Sequence, residues 1–560
     1  MLTSQRCYAS VSPCAVGQRK DHLFHSPAQR SVKAGAQAAD SYHLITIERN
    51  NLGVVTCFVM TCAWLAAPAS LSAAGVTLIT HGDNGTTTGW ITGMANVMSA
   101  RMGGNVPVYR INVTSGGGGL VASTTNVSGL NPMASPKGEM ILMLDWGPVS
   151  NDSTTTYQVA AVVAPLFVRT NLIAELSGHA LAEFPIQLIG HSRGASLVCQ
   201  LSELLGEQGI WVDQVTSLDA HPISGDAPVA TYENVLYADS YYQTSSFLHL
   251  ADGQIVPGSA WRKQTVISGG YGFPYDGHSD VHLWYHGTID LSTPTSDTEA
   301  TIDSTMRTQW WATVEQAGTN AGFIYTRLGG SNRLSNLQPN GANSSAIRDG
   351  FNQKFDLGGG INNNRTSLTT NSGDWPNVMK LDLLSTNPVP QGSDAMLQMS
   401  FQWAQPASAT MSVQVILDSD QNPLNGNERM VLNGSASGTT ANTIGVATIP
   451  VPINSSNAPV GNYSVFAKLS AGGRSRVLYA GGTLRVVASS APPWLDITLQ
   501  AGGEVILGVN GVPGQTVILQ GALDLVGWQP VATNHLQTAR WELPLSANGA
   551  NVFYRASLAP

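Results

Sequence analysis

Short apolar runs alternate with stretches of helical periodicity over the first half of the chain. Runs bounded by turn residues are typical of buried strands, and they are VTLIT (76–80), VPVYRINV (106–113), EMILMLDW (139–146) and PIQLIG (185–190). Between them, apolar residues recur at the spacing of one helix face, for example Trp90, Met94, Val97 and Met98. Strands that alternate with helices predict an α/β fold with a largely parallel sheet covered on both faces.

A different pattern begins near residue 378, where short alternating apolar runs are separated by polar turns. These runs are KLDLL, AMLQMSFQW, MSVQVILD, GVATIPV, NYSVFAKL and TLRVV. Period-two alternation with frequent turns predicts an antiparallel β-sandwich over residues 376–488. Residues 301–375 contain long Asn/Gly stretches and are predicted to be an extension packed on the preceding domain. After a VASSAPPW linker, residues 495–560 are predicted to form a small β-module.

The N-terminal 74 residues carry a candidate export signal. Arg49 precedes an apolar run from Leu52 to Ala67, and the small residues PASLSAA follow, which predicts cleavage after Ala69 or Ala74. The run is too short to predict a membrane span, although a buried helix is the alternative. Residues 1–42 are predicted to be an atypical extension or an upstream mis-start. We therefore expect a secreted protein, with the periplasm or the cell surface as alternatives, and no stable membrane span once the signal is removed.

Composition and cysteine usage agree with export. Only 11% of the residues are charged, and the net charge is −9, so no basic patch predicts binding to nucleic acid. Four of the five cysteines precede the predicted cleavage site, which leaves Cys199 alone in the mature chain. A single thiol forms no internal disulfide. Cys199 is therefore predicted to be a buried structural thiol.

One segment carries candidate chemistry in a specific context. An apolar strand runs into Gly190-His191-Ser192-Arg193-Gly194, and apolar residues at helical spacing follow. Strand, Gly-x-Ser-x-Gly turn and helix form the context of a nucleophile elbow, in which small residues relieve collisions around a strained serine. The backbone N–H of Arg193 would point toward an oxyanion at the positive end of the helix. An incidental turn is the alternative in a chain rich in glycine and serine.

A nucleophilic serine requires a base and an orienting acid, which follow it in the order Ser, Asp, His. Two carboxylates come after predicted strands, Asp219 after WVDQVTSL (211–218) and Asp239 after NVLYA (234–238). Carboxyl ends of strands are where catalytic groups gather in such sheets. The candidate bases are the three histidines of one predicted helix face, His278, His282 and His286. Their spacing also raises zinc as an alternative, but no other ligand motif accompanies them.

A loop in the predicted sandwich presents oxygen atoms at alternate positions. Asp418, Asp420 and Asn422 suit calcium chemically, so structural calcium is one interpretation of this loop. However, Pro423 stands where an EF-hand loop requires glycine, and no glutamate occupies the twelfth position. A simple turn is the alternative, and no other cofactor is predicted.

From about residue 76 to 286, the chain resembles the pancreatic and lipoprotein lipase branch of the α/β-hydrolases. The resemblance rests on ordered motifs: His81-Gly82 after a strand, Asp145-Trp146, QLIGHSRGA, Leu218-Asp219 with Pro222, and a late His-Ser-Asp. It implies an α/β-hydrolase domain over residues 75–300. It also implies Asp219 rather than Asp239 as the acid, His278 as the base and the N–H of Asp83 as the second oxyanion donor.

Several positions depart from that branch. Asp83 stands where those lipases carry a large apolar residue, and Arg193 replaces their leucine. These charges weaken the expectation of a long acyl chain. The disulfides of the branch are absent, so the glycine-rich stretch 252–277 is equally consistent with a lid or a plain surface loop. The C-terminal module resembles small β-modules of exported proteins from environmental bacteria, through Asp524, Leu525 and Trp528 and a closing Phe-Tyr-Arg-Ala.

These observations predict a secreted serine hydrolase that cleaves carboxylic esters through Ser192, His278 and Asp219. Its partner would be an ester substrate, for which lipid, acetylated polysaccharide and polyester remain open, presented free or at a lipid or polymer surface. A hydrolase-like binding or adhesion protein is the alternative from another class. Peptidase and thioesterase chemistry on the same fold also remain open.

We expect export to remove the N-terminus between Asn51 and Gly75, because signal peptidase cuts after small residues that follow an apolar run. Intact-mass measurement of the secreted protein checks this expectation. A secreted product that still contained Cys57 would contradict it.

Overall fold

The computed structural model describes residues 45–49, 55–59 and 74–559, except for residues 136, 151–152, 266, 272–275, 290–299, 301–303, 312–321, 329–349, 353–364, 371–372, 386, 441–442, 489–491, 500–504, 524–526 and 546–552. Strands β1 (Ile45–Arg49) and β2 (Val55–Val59) pair antiparallel. The rest of the predicted extension and signal before Ala74 lies outside the described residues, as do Asp524 and Leu525 of the C-terminal motif. The signal peptide and its cleavage site stay predictions.

A mixed eight-stranded sheet forms the centre of the first half of the chain. Its strands are β3 (Gly75–Thr80), β4 (Val108–Gly116), β5 (Gly119–Asn126), β6 (Glu139–Asp145), β7 (Ile186–His191), β8 (Val212–Leu218), β9 (Val235–Tyr242) and β10 (Ala260–Lys263). They lie in the order β10-β9-β8-β7-β3-β6-β4-β5. Only β4 and β5 pair antiparallel, and all other neighbours pair in parallel. Strands β3, β6, β7 and β8 are buried along almost their whole length, which explains the apolar runs of β3, β6 and β7.

Helices cover both faces of this sheet. They are α1 (Trp90–Arg101), α2 (Gly147–Ser150), α3 (Thr156–Val163), α4 (Arg193–Glu207), α5 (Asp276–Ile289) and α6 (Ser304–Trp311). Short 3-10 helices span Pro132–Ala134, Ala164–Val168, Ala174–Leu176, Leu181–Glu183, Phe247–His249 and Gly322–Tyr325. Leu188 of β7 belongs to a core with α3 and α4, whereas the adjacent Ile189 belongs to a core with α1 and α5. Alternate side chains of a strand point to opposite faces, so β7 supports both layers.

The structure differs from the sequence prediction at the rims of the sheet. The glycines at 116–119 close a β4–β5 hairpin, and β5 is not among the predicted strands. Strand β5 alternates between half-buried and exposed positions, so its sequence lacks the apolar run by which a buried strand is recognised. Strand β9 continues to Tyr242, so the prediction that it ends before Asp239 is wrong. Strand β10 was also not predicted.

Residues 377–487 form two further sheets. Their strands are β11 (Asn377–Leu383), β12 (Val389–Pro390), β13 (Ser393–Gln402), β14 (Thr410–Asp418), β15 (Arg429–Ser437), β16 (Gly445–Ile453), β17 (Gly461–Ala471), β18 (Arg474–Tyr479) and β19 (Leu484–Val487). One sheet has the order β11-β13-β16, and the other has the order β12-β19-β17-β14-β15 with β18 also paired to β17. Apolar side chains of both sheets, such as Leu397 and Val415, share one buried core. We call residues 377–487 the β-region.

The C-terminal part is also built from strands. These are β20 (Trp494–Leu499), β21 (Val505–Asn510), β22 (Thr516–Ala522), β23 (Gln529–His535), β24 (Arg540–Leu545) and β25 (Phe553–Leu558). One sheet has the order β20-β21-β24, and the other has the order β2-β1-β25-β22-β23. The hairpin of β1 and β2 thus joins the C-terminal sheet through β25. No helix in the described ranges is long and apolar enough to cross a membrane.

The β-region contacts the amino ends of the strands of the eight-stranded sheet. Arg476 is buried, and its Nη2 atom lies 2.6 Å from Oδ2 of Asp213, near the start of β8. Its guanidinium also donates to the carbonyls of Ala182 and Trp211, at 2.9 and 3.1 Å. Planar guanidinium groups suit such multiple acceptors. The β-region is therefore anchored at the edge of the sheet opposite the carboxyl ends.

We expect Arg476→Ala to lower the free energy of unfolding by about 3–5 kcal/mol, because removing one member of a buried ion pair strands the other charge. Urea denaturation followed by tryptophan fluorescence measures the change. Arg474→Ala is the matched control, since Arg474 pairs with Asp374 at a site where both side chains are at least 43% exposed. Such exposed pairs contribute about 1 kcal/mol or less. Equal destabilisation by both variants would contradict the anchoring role of Arg476.

Candidate active site

Ser192 occupies a sharp turn between β7 and α4. Its backbone has φ 59° and ψ −125°, a conformation that residues with a side chain rarely adopt. The backbone N–H of Ser192 donates to the carbonyl of Leu218 at 3.0 Å, and its own carbonyl accepts from the N–H of His221 at 3.2 Å. These bonds join the turn to the end of β8. The neighbouring strand therefore holds the strained serine in place.

Glycines around Ser192 allow three backbone segments to approach closely. A Cβ atom on Gly190 would lie 2.1 Å from the carbonyl oxygen of Gly194, and a Cβ on Gly194 would lie 2.3 Å from the carbonyl oxygen of His81. A Cβ on Gly82 would lie 2.5 Å from Cβ of Ser192 and 2.9 Å from its Oγ. Each of these distances excludes a larger side chain. The His81-Gly82 turn after β3 thus packs directly against Ser192.

Asp219 and His278 form a buried pair at the end of β8. Oδ2 of Asp219 lies 2.6 Å from Nδ1 of His278 in the first turn of α5. The carboxylate also accepts from the backbone N–H and the side-chain amide of Gln243, both at 2.8 Å. Burial raises the pKa of Asp219, and the hydrogen bonds from His278 and Gln243 act against that rise. The arrangement can fix the ring of His278 and stabilise its protonated form.

His278 packs beside the residues that flank Ser192. Nε2 of His191 donates to the carbonyl of His278 at 3.1 Å, and the two rings lie 4.6 Å apart. The backbone N–H of His221 bonds to the carbonyl of Ser192, and the centre of the His221 ring lies 5.8 Å from that of the His278 ring. Within the described residues, the hydrogen bonds of His278 do not include one with Oγ of Ser192. Catalytic hydrogen bonds of this type are often long before substrate binds.

The alternate candidates have other surroundings. Asp239 lies inside β9 and accepts hydrogen bonds from Thr216 at 2.6 Å and from Tyr241 at 3.0 Å. His282 lies one turn after His278, and its ring stacks on Trp90 with 4.3 Å between centroids. Burial lowers the pKa of His282 well below its ordinary value. Of the two predicted acids, Asp219 is the one paired with His278.

The proposed oxyanion donors, Asp83 and Arg193, also contact each other through their side chains. Nη1 of Arg193 lies 3.0 Å from Oδ1 of Asp83. Arg193 also forms a bidentate ion pair with Asp226, in which Nε and Nη2 each lie 2.8 Å from a carboxylate oxygen. Burial alone would lower the pKa of Arg193, but these ion pairs raise it. Neither Asp226 nor Gln243 could be predicted from the sequence, because their partners lie far away along the chain and no local motif joins them.

The start of the predicted lid or surface loop, residues 252–277, packs on Asp219. The N–H of Gln254 donates to the carbonyl of Ala220 at 3.0 Å. A Cβ on Gly253 would lie 2.0 Å from Oδ1 of Asp219. Residues 266 and 272–275 of this segment lie outside the described residues. Whether the segment acts as a lid stays a prediction.

The predicted calcium loop is held by hydrogen bonds within the protein. Oδ2 of Asp420 accepts from the amides of Asn425 and Asn427 at 2.7 and 2.8 Å, and the hydroxyl of Tyr479 donates to Asp418. Burial raises the pKa of Asp418 to about 6, although the bond from Tyr479 opposes the rise. Asn422 donates to the carbonyl of Ser135 at 2.6 Å, which joins this loop to the eight-stranded sheet region. Structural calcium stays a prediction.

No group of three or more His, Cys, Asp or Glu residues that could hold a metal ion occurs in the part of the chain that the structure describes. His278, His282 and His286 lie on one helix, as predicted for the zinc alternative, and all three are buried. The Nδ1 atom of His278 already faces a carboxylate. Cys199 is buried in α4, and burial raises the pKa of its thiol to about 11, which suits a structural residue.

Known proteins match this chain among solved structures, but not among family models or curated proteins. No family model and no curated protein matches the chain. Among solved structures, it is similar to a biofilm-associated protein (BSP domain), with 16% identity over 32% of this chain and 27% of that one and a TM-score of 0.14. It is also similar to red sea bream transglutaminase, with 14% identity over 30% of this chain and 26% of that one and a TM-score of 0.16. The matches thus span about a quarter of those structures, and TM-scores this low carry no argument about fold or function.

We expect Asp219→Asn to lower kcat by about 10⁴-fold at neutral pH, because an amide can neither stabilise an imidazolium nor enforce the required tautomer. Asp239→Asn should retain most activity, since Asp239 bonds to strand side chains instead. Steady-state kinetics on folded variants separate the two. The reverse ranking would contradict the pairing of Asp219 with His278 as the working arrangement.

Proposed function

We propose that this protein is a secreted serine hydrolase of the α/β-hydrolase type that cleaves carboxylic esters. The observation that carries the proposal is the buried Asp219–His278 pair, 2.6 Å between Oδ2 and Nδ1, at the sheet edge where Ser192 occupies a strained elbow. A nucleophile, a base and an orienting acid at one edge of a sheet are the parts that acyl transfer requires.

In this mechanism, Oγ of Ser192 attacks the ester carbonyl while His278 accepts the proton of the hydroxyl through Nε2. Asp219 holds Nδ1 and stabilises the imidazolium that forms. The backbone N–H groups of Asp83 and Arg193 stabilise the negative oxygen. The bond to the alcohol oxygen breaks as His278 protonates the leaving alcohol, which leaves the acyl group on Oγ of Ser192. His278 then accepts a proton from the water that attacks the acyl-enzyme, and it returns this proton to Oγ of Ser192 as the carboxylic acid leaves.

The ordered motifs of residues 76–286 support placement in the lipase-like branch of the α/β-hydrolases. The sheet order and the parallel pairing of β3, β7 and β8 agree with that proposal. Two sheets that share one core support a β-sandwich over residues 376–488. The apolar run at 52–67 supports export.

Exposed apolar residues near the site favour an ester at a lipid or polymer surface. Leu248 and Leu250 are 70% and 71% exposed, and they lie between Gln243, which bonds to Asp219, and Asp252. His221 holds the carbonyl of Asp252 at 2.8 Å, which ties this loop to the site. Exposed leucines on a loop that is hydrogen-bonded to the site are suited to contact an apolar surface.

We expect Ser192→Ala to lower kcat by at least about 10⁴-fold without unfolding the protein, because Ser192 is the nucleophile while binding groups survive. A panel of p-nitrophenyl esters of increasing chain length, assayed with folded variants, provides the measurement. His278→Ala should lower kcat to a similar extent, whereas His282→Ala should retain ester hydrolysis. Wild-type turnover in Ser192→Ala would overturn the proposal. A wild-type protein that cleaves no ester would favour a binding or adhesion role instead.

A further inference from the structure

We infer that the side chain of Arg193 is a positioning element that fixes the oxyanion hole by holding Asp83. This inference rests on the proposed ester hydrolysis and deepens it. It concerns the guanidinium group, whereas the proposed mechanism uses only the backbone N–H of the same residue.

The guanidinium of Arg193 is completely satisfied by protein acceptors. It pairs with Asp226 through Nε and Nη2, and with Asp83 through Nη1. It also donates to the carbonyl of Ser150 through Nη1 and to that of Thr154 through Nη2, the latter at 2.9 Å. Arginine has five N–H donors in a fixed plane, and all five find an acceptor here.

These acceptors come from separate segments at the carboxyl edge of the sheet. Asp83 follows β3, Ser150 and Thr154 follow β6, and Asp226 lies in the loop after β8. Arg193 itself begins α4 after β7 and is 1% exposed. Its guanidinium also lies 5.0 Å from the ring centre of Trp146. One side chain therefore joins the loops that follow four parallel strands.

The ion pair between Arg193 and Asp83 couples the two proposed oxyanion donors directly. Arg193 supplies one backbone N–H, and its side chain holds Asp83, which supplies the other. Gly82 packs against Ser192, so a shift of the adjacent Asp83 changes the distance between its N–H and the developing oxyanion. Oxyanion donors stabilise charge only within a narrow range of distances, and small misplacements cost large factors in rate.

Asp83 permits a test that spares the core. Its side chain is 43% exposed, whereas that of Asp226 is fully buried. Truncating Asp83 therefore removes one anchor of the hole without stranding a buried carboxylate. Asparagine at this position keeps an oxygen that can accept from Nη1 and serves as the conservative variant.

The experiment measures kcat and KM for a p-nitrophenyl ester with Asp83→Ala, Asp83→Asn and Arg193→Lys. We expect Asp83→Ala to lower kcat by about 10- to 100-fold while KM changes by less than about threefold, because the lost stabilisation is specific to the transition state. Asp83→Asn should recover part of that loss. Arg193→Lys should lower kcat at least as much, since lysine cannot reproduce the planar fork.

Arg476→Lys is the matched control. Arg476 is equally buried and also pairs with an aspartate, but it lies at the amino edge of the sheet. The Arg476→Lys variant should have lower thermal stability than the wild type, and its kcat should stay within about twofold of the wild-type value. Asp83→Ala with wild-type kcat, or a loss that appears in KM alone, would overturn the inference while ester hydrolysis by the wild type stood. A wild-type protein that hydrolyses no ester would overturn both.

Discussion

The strained backbone of Ser192 is the constraint on which the candidate site depends. A non-glycine residue at φ 59° costs on the order of 1–3 kcal/mol and persists only where its surroundings impose it. Here β7 and α4 are fixed in two buried cores, and Gly190 and Gly194 let the turn close against the end of β3. The same close approach brings the His81-Gly82 turn against the serine. The geometry of the candidate site therefore follows from how tightly three backbone segments pack.

Two buried arginines define opposite edges of the eight-stranded sheet. Arg193 joins the loops at the carboxyl ends of the strands, and Arg476 of the β-region pairs with Asp213 near the amino end of β8. Each guanidinium group donates hydrogen bonds to backbone carbonyls as well as to a carboxylate, because a buried charge must be paired and hydrogen-bonded. Arg476 and Asn422 make their contacts at the amino edge of the sheet, whereas the candidate site lies at the carboxyl edge.

The sequence predicted the parts of the fold that local pattern encodes. Continuous apolar runs predict β3, β6 and β7, because strands buried on both faces carry such runs. Edge strands such as β5 were missed, since they bury no complete face. Ser192 could be found because a strand, a glycine turn and a helix adjoin it. Gln243 and Asp226 could not, because only the folded chain brings them to Asp219 and Arg193. The choice of Asp219 over Asp239 came from a motif and could not be made from strand position.

A fluorophosphonate is the sharpest probe of whether Ser192 is an activated nucleophile. Such reagents bond covalently to serine only where a base and an oxyanion hole activate it. The purified protein would be treated with the reagent and digested, and its peptides would be sequenced by mass spectrometry. We expect a single adduct, on the peptide that contains Ser192, and we expect Asp219→Asn to abolish it. The absence of an adduct, or an adduct at a different serine, would contradict it.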